Sequence, residues 1–263
     1  MKACLLIVDP QNDFCHPNGS LFVDGADQDV IRLGAMIDRV GSKLDKIHVT
    51  LDSHHRLHVA NPIFWRNSAG ERPLPFTIIT REDVRDGVWM PFDPSLHARA
   101  LDYTEQLERN GRYQLCIWPE HCLIGTPGQT VADPVCQALL KWEDRPAAVN
   151  WLTKGSNIYT EHYSAIQADV PDPTDPQTRL NTVLLDDLQS CDVIGFTGEA
   201  LSHCVANTGR DFVANLAAET IRKIHLITDC CSSVSGFKEN ADAFVSDMKA
   251  LGMRLCTSAE FLR

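Results

Sequence analysis

Ten cysteines are scattered along the 263-residue chain, and one of them, Cys204, sits where a helix is expected to open just after a short apolar run, inside GFTGEALSHCVANTGRDF (195–212). A cysteine thiol is mostly protonated at neutral pH and reacts as the thiolate, so a nucleophilic cysteine needs a proton acceptor and positive charge nearby. Two other apolar runs end in suitable groups. KACLLIVD ends in Asp9, which can take the thiol proton and later return it to a leaving amine. AAVNWLTK ends in Lys154, whose ammonium, with the unpaired N–H groups of a helix start, favours the thiolate. Backbone N–H groups around residues 200 and 204 then face the developing oxyanion. A third run, KIHVTLD, ends in Asp52 with His54 two positions on, and YQLCIW leads into WPEHC with His121. Asp and His two apart at a strand end share a side. One carboxylate oxygen and two imidazole nitrogens form the ligand set of an open catalytic divalent site: zinc first, with iron or manganese as alternatives. His58 is a further imidazole that either joins this set or supports it, whereas His55 points elsewhere.

The elements that must position these residues are legible as an alternation. The segments 2–9, 46–52, 113–118, 147–154, 192–198 and 223–229 are short and continuously apolar, which is how strands covered on both faces read. Helix-period segments lie between them at 28–44, 94–110, 130–144, 177–190, 203–219 and 237–251, with Pro134 placed in a first turn where its missing N–H costs little. Strands alternating with helices predict an α/β fold, a three-layer α/β/α sandwich on a mostly parallel, doubly wound sheet. Ligands bind such sheets beyond the carboxyl ends of the strands, and five successive strands deliver the chemistry-bearing groups there. Segment 53–95 breaks the rhythm. It is rich in proline and aromatics, holds one extra strand at 76–80, and reads as an insertion that covers part of the site or an oligomer contact. With no internal repeat, and with VPDPTDPQT (170–178) as a surface connection, residues 1–263 read as one domain.

Composition narrows the functions. Hydrophobic residues make up 44% and charged residues 22%, ordinary for a globular protein, and no apolar run is long enough to span a membrane. A net charge of −11 without a cluster of Lys and Arg argues against nucleic acid as a partner. The N-terminal apolar run is broken by Asp9 and Pro10 before any cleavage site, so it reads as a strand rather than a signal peptide. The cysteines form no C-x-x-C pair, and a chain of this length builds its own core, so reduced thiols in a cytoplasm are expected. The other nine cysteines read as small core residues. Phe14, Trp118 and Tyr163 read either as pocket walls or as plain core aromatics.

Five segments, taken in order, resemble the nicotinamidase branch of the isochorismatase-like cysteine hydrolases: LLIVDPQNDFCHPNGSL, TLDSHHRLH, WPEHCLIGTPG, TKGSNIYTEHYSA and GFTGEALSHCV. They cover most of the chain outside 60–110. The resemblance implies that Asp9, Lys154 and Cys204 are the catalytic triad and that Asp52, His54 and His121 hold a metal. It implies that Phe14, Trp118 and Tyr163 match or neighbour the ring pocket. It also implies a cis peptide at Glu199–Ala200, with the N–H groups of Ala200 and Cys204 as oxyanion donors. The activity implied is hydrolysis of nicotinamide to nicotinate and ammonia through a thioester, the metal orienting the pyridine ring, within NAD salvage. The partner is then a small amide, with a homo-oligomer left open. The chain departs from the branch at Glu199, where a branched apolar residue is usual, and at Leu201–Ser202, where Thr-Asp is usual. It also lacks the Ser-Phe that commonly follows the second histidine, and its insertion is longer. A second enzyme reading keeps the triad for another small amide or a ureido substrate. An isochorismatase reading is weakened by the nucleophilic cysteine, which those enzymes lack, and a partner-binding scaffold by the retention of all six triad and metal positions.

Overall fold

Every other residue of the first strand, β1 (Ala3–Val8), faces a different apolar layer: Ala3, Leu5 and Ile7 join one core cluster, and Cys4, Leu6 and Val8 the other. This period of two, apolar on both faces, is what a central strand covered by helices requires. In the computed structural model, which describes residues 1–111 and 113–263, β1 lies near the middle of a six-stranded parallel sheet. Its other strands are β2 (Lys46–Asp52), β7 (Asn150–Lys154), β8 (Val193–Gly198), β9 (Ile224–Ile227) and β10 (Arg254–Cys256), in the order β10-β9-β8-β1-β2-β7. The fold class is therefore the three-layer α/β/α architecture expected. One layer holds α2 (Ala26–Val40) and α5 (Asp133–Trp142), which bury Leu33, Met36 and Leu139, while α4 (His97–Asn110) buries Tyr103 and Leu107 in the same apolar cluster. The other holds α6 (Thr182–Gln189), α7 (Ala206–Asn215), α8 (Ala218–Ile221) and α9 (Lys238–Ala250), which bury Leu188, Phe212, Ile221 and Phe244. Truncating a buried phenylalanine such as Phe212 or Phe244 costs about 3–5 kcal/mol, so these two layers carry much of the net stability.

The chain runs β1-β2-β7 to one side and then returns to place β8 on the other side of β1. That reversal opens a crevice at the carboxyl ends of β1 and β8, where a ligand site is expected. Gly198, the last residue of β8, has φ +122°, and a Cβ there would fall 2.0 Å from the Val8 carbonyl oxygen. Only glycine lets the two backbones meet so closely at the crevice floor.

Two expectations are corrected. Segment 113–118 does not form a strand of the main sheet: only β6 (Leu115–Cys116) is extended, and it pairs antiparallel with β4 (Ile78–Ile79). The 53–95 segment takes its backbone partners instead, with Ile117 N–H donating to Thr77 at 2.9 Å and Trp118 N–H to Ala60 at 2.8 Å. Conversely, the edge strand β10 was not expected, because three partly exposed residues make no apolar run. The 53–95 segment also holds β3 (Trp65–Arg66), paired with β5 (Met90–Pro91), and the short α3 (Arg81–Arg85). The remaining helix, α1 (Asn12–Cys15), is a single turn after β1.

Candidate active site

Asp9 follows β1 with φ +45°, a left-handed conformation that aspartate tolerates better than most residues. Its backbone N–H meets Thr50, and its Oδ1 accepts from Thr50 Oγ1 at 2.6 Å, so the fully buried carboxylate has one fixed orientation. Lys154 is the last residue of β7 and pairs across the sheet with Asp52 of β2. Its Nζ lies 2.8 Å from Asp9 Oδ2, 3.2 Å from Asp52 Oδ1 and 3.6 Å from Cys204 Sγ. Cys204 is carried by a π-helical turn, Leu201–Val205, that runs into α7. The structure thus brings Asp9, Lys154 and Cys204 into one contact group.

Burial and charge compete here, and the outcome differs for each group. For Lys154, burial disfavours the ammonium, but Asp52, Asp9 and Cys204 outweigh it and hold its pKa well above the usual value. Burial pushes Asp9 up despite Lys154, making it a stronger proton acceptor than an ordinary carboxylate. Asp52 goes the other way: burial opposes its charge, yet His54, Lys154 and His121 hold it well below the carboxylate range. The thiol departs from expectation. Burial pushes Cys204 well above a free cysteine although Lys154 pulls it down. Desolvation therefore works against a preformed thiolate here, and Lys154 is the group that opposes it.

Asp52, His54 and His121 each offer an atom within 4.8 Å of the others. The two histidines are prepared as ligands. His54 Nδ1 donates to the Gly155 carbonyl at 3.1 Å, and His121 Nδ1 to the Pro119 carbonyl at 2.8 Å. The other ring nitrogen of each, Nε2, lies against Asp52 Oδ2, at 3.0 and 3.5 Å, where a proton or a cation can sit between them. A divalent cation fits this donor set, and it would offset the excess of buried carboxylate over Lys154. His58 packs on His54 with ring centroids 4.6 Å apart, but Ala60 N–H binds its Nδ1 and its Nε2 donates to Thr160. Both nitrogens are thus engaged by backbone, which makes His58 a support rather than a ligand; His55 is exposed.

Phe14, Trp118 and Tyr163 line one cavity together with Cys204, Asp52, His121 and Ala200. Trp118 Nε1 donates to the Tyr163 hydroxyl at 2.8 Å, which fixes both rings, and Phe14 packs on His121 at 5.4 Å. Phe76, from the 53–95 segment, meets Trp118 edge-on at 5.8 Å. The Glu199–Ala200 peptide is cis. Glu199 is buried: its carboxyl accepts from Ser232 N–H at 3.0 Å and hydrogen-bonds Asp29. Burial first, and Asp29 second, hold its pKa well above the ordinary value near 4.5.

Three supporting residues escaped sequence reasoning. Thr50 orients Asp9. Gln11 clamps Asp52, taking its N–H at 2.7 Å while donating to its carbonyl at 2.7 Å. Glu161 is buried, and its carboxylate lies within 4.8 Å of ring nitrogens of His54 and His58. The spacing Asp9-x-Gln11 was the one available signal.

No protein-family model matches the chain. It is 25% identical to the nicotinamidase of Saccharomyces cerevisiae (strain ATCC 204508 / S288c) over 246 residues, 94% of this chain and 95% of that protein. A solved structure of yeast nicotinamidase bound to the inhibitor nicotinaldehyde has a TM-score of 0.67 at 19% identity, covering 97% of this chain and 99% of that one. The pyrazinamidase of Pyrococcus horikoshii in complex with zinc has a TM-score of 0.58 at 19% identity, covering 98% and 99%. These solved structures share the fold.

Two predictions come from this geometry. Gly155 has φ +82°, and a Cβ there would lie 2.8 Å from both Asp52 Oδ1 and His54 Cε1. Gly155→Ala is expected to weaken metal binding at least about tenfold, read by metal titration on protein whose circular dichroism is unchanged; unaltered affinity refutes it. Glu199 is protonated when folded but ionised when unfolded above about pH 4.5, so the folded state binds the extra proton and loses stability as pH rises toward the raised pKa. Glu199→Gln removes that loss. Its stability relative to wild type is expected to grow by up to about 1.4 kcal/mol per pH unit above the ordinary glutamate range. Urea unfolding at several pH values reads this, and a difference that stays flat with pH contradicts it.

Proposed function

We infer that this chain belongs to the nicotinamidase branch of the isochorismatase-like cysteine hydrolases and is an amidohydrolase that converts nicotinamide to nicotinate and ammonia. The observation that carries the reading is the contact group of Asp9, Lys154 and Cys204 beside a three-ligand metal set, at the mouth of an aromatic cavity. The 25% identity to a curated nicotinamidase along nearly the whole chain supports it. We read residues 1–263 as one domain with 53–95 inserted, since β1 and β10 belong to one sheet.

In the mechanism we propose, Asp9 takes the Cys204 proton as the sulfur attacks the carboxamide carbon. The resulting oxyanion faces the N–H groups of Ala200 and Cys204. Lys154 keeps Asp9 and the sulfur from accumulating unbalanced negative charge. Collapse expels ammonia, protonated by Asp9, and leaves a thioester on Cys204. Asp9 then deprotonates a water molecule that cleaves the thioester, releasing the carboxylic acid and restoring the thiol. Phe14, Trp118 and Tyr163 hold the ring, excluding water from its faces. A divalent ion held by Asp52, His54 and His121 would supply a ligand position for the pyridine nitrogen, orienting the ring. Zinc is the ion we propose, on the nitrogen and carboxylate donor set and on the zinc held by the Pyrococcus pyrazinamidase.

An ammonia-release assay on nicotinamide tests this. Cys204→Ala is expected to fall to background, and Asp9→Asn, which cannot accept the proton, to lose about 10²–10⁴-fold in kcat. Equal rates for wild type and Cys204→Ala would defeat the proposal. Chelation is expected to abolish turnover and added zinc to restore it. Amide hydrolysis that survives complete chelation would favour the alternative, a related cysteine hydrolase for another small amide or ureido substrate.

A further inference from the structure

His203 stands immediately before the nucleophile and lines the same cavity, only 4% exposed. Its ring is held on several sides: perpendicular to Trp118 at 5.2 Å, edge-on to Phe237 at 4.7 Å and stacked on Tyr113 at 5.5 Å. This packing leaves the imidazole one orientation. Its Nδ1 lies 2.9 Å from Ser202 Oγ, which also accepts from Val234 N–H at 3.1 Å. Among the described residues nothing hydrogen-bonds Nε2. His203 lines the cavity, so a bound ligand is placed to supply the hydrogen bond that Nε2 lacks. Burial, with Arg210 adding to it, lowers the His203 pKa to about 4, so at neutral pH it reads polarity rather than charge. The mechanism above gives it no role, because proton transfer is handled by Asp9.

We propose that His203 is a specificity-determining residue whose Nε2 hydrogen-bonds a polar substituent on the substrate ring, tuning the site to ring-hydroxylated heteroaromatic carboxamides over bare or alkylated ones. A hydroxyl suits either tautomer of the imidazole, since it both donates and accepts. The aromatic neighbours fix the ring plane, so the preference applies to the substituent position that meets Nε2 and not to all positions. A site that hydrogen-bonds a substrate hydroxyl discriminates strongly against an analogue of equal size that lacks it, because the protein group is then left unpaired. The inference rests on the amidohydrolase reading and narrows its substrate class.

The test is kcat/KM for ammonia release from nicotinamides hydroxylated in turn at each free ring carbon, each paired with its methyl isomer as a control for size. In wild type, at least one hydroxylated isomer is expected to exceed its methyl partner about tenfold or more. In His203→Phe that ratio is expected to collapse towards one, whatever happens to absolute rates, whereas His203→Gln, which keeps a polar group, retains part of it. A wild-type panel in which no hydroxyl outperforms its methyl partner overturns the proposal, and so does a ratio that survives His203→Phe. Absence of ammonia from every amide, nicotinamide included, would instead remove the amidohydrolase reading, and this inference with it.

Discussion

One buried ammonium holds the two halves of this site together. Lys154 lies within hydrogen-bonding distance of Asp9, on the nucleophile's side, and of Asp52, on the metal's side, and it also reaches the sulfur of Cys204. Two buried carboxylates at this separation repel each other, and removing either partner of such a pair leaves an uncompensated charge that costs several kcal/mol. The arrangement stands only because each of the three residues occupies a strand end in one sheet. Asp52 and Lys154 are cross-strand partners, and β1 brings Asp9 alongside Thr50 at the end of β2. Side chains alternate between sheet faces, so a one-residue slip of β7 would turn Lys154 away from both carboxylates. Sheet register is therefore a functional property of this chain as well as a structural one.

The same burial decides how the thiol reacts. In an open, electropositive setting a cysteine is activated by lowering its pKa. Here the desolvation cost of a thiolate outweighs what Lys154 returns, which pushes the Cys204 thiol up rather than down. Burial also raises Asp9, and the two effects offset one another: the base gains basicity where the acid has lost acidity, so transfer between them is less uphill than the thiol's shift alone suggests. A thiol pushed up in this way is less open to oxidation and alkylation. Nine other cysteines remain free, most of them buried among apolar neighbours.

Much of this was legible in the sequence because the site residues sit at the ends of apolar runs, and a run's end marks a strand's end. Asp9, Asp52 and Lys154 all follow that rule, and Cys204 follows β8 after a short turn. The rule failed at 113–118. That segment is apolar because it packs under residues 76–79 rather than in the central sheet, and run composition does not distinguish the two. Trp118 and His121 reach the site even so, because Trp118 is anchored to Ala60 and Cys122 to the Asp13 carboxylate. The edge strand β10 was invisible because an edge strand of three partly exposed residues needs no apolar run. Thr50 and Gln11 were hard to see for another reason: their role is to hold other polar groups, and a residue that only orients leaves little spacing pattern.

The departures from the family pattern form a connected group rather than scattered changes. Glu199 replaces an apolar residue in a fully buried position, which is tolerable only if its polar atoms find partners. Ser232 N–H and Asp29 supply them, and Asp29 is in turn held by Arg32 and the Ser232 hydroxyl. Three residues further along, Ser202 takes the Val234 N–H and places its hydroxyl against His203. The 232–234 segment therefore reads both substitutions, and its own backbone is fixed to the turn by the Leu201 N–H donated to the Ser232 carbonyl. An apolar residue at Glu199 would orphan the Ser232 N–H, and one at Ser202 would orphan the Val234 N–H. The group is thus one connected unit that backs the cavity wall formed there by His203 and Val234. It leaves Asp9, Lys154 and Cys204 untouched while changing what that wall offers to a bound ring.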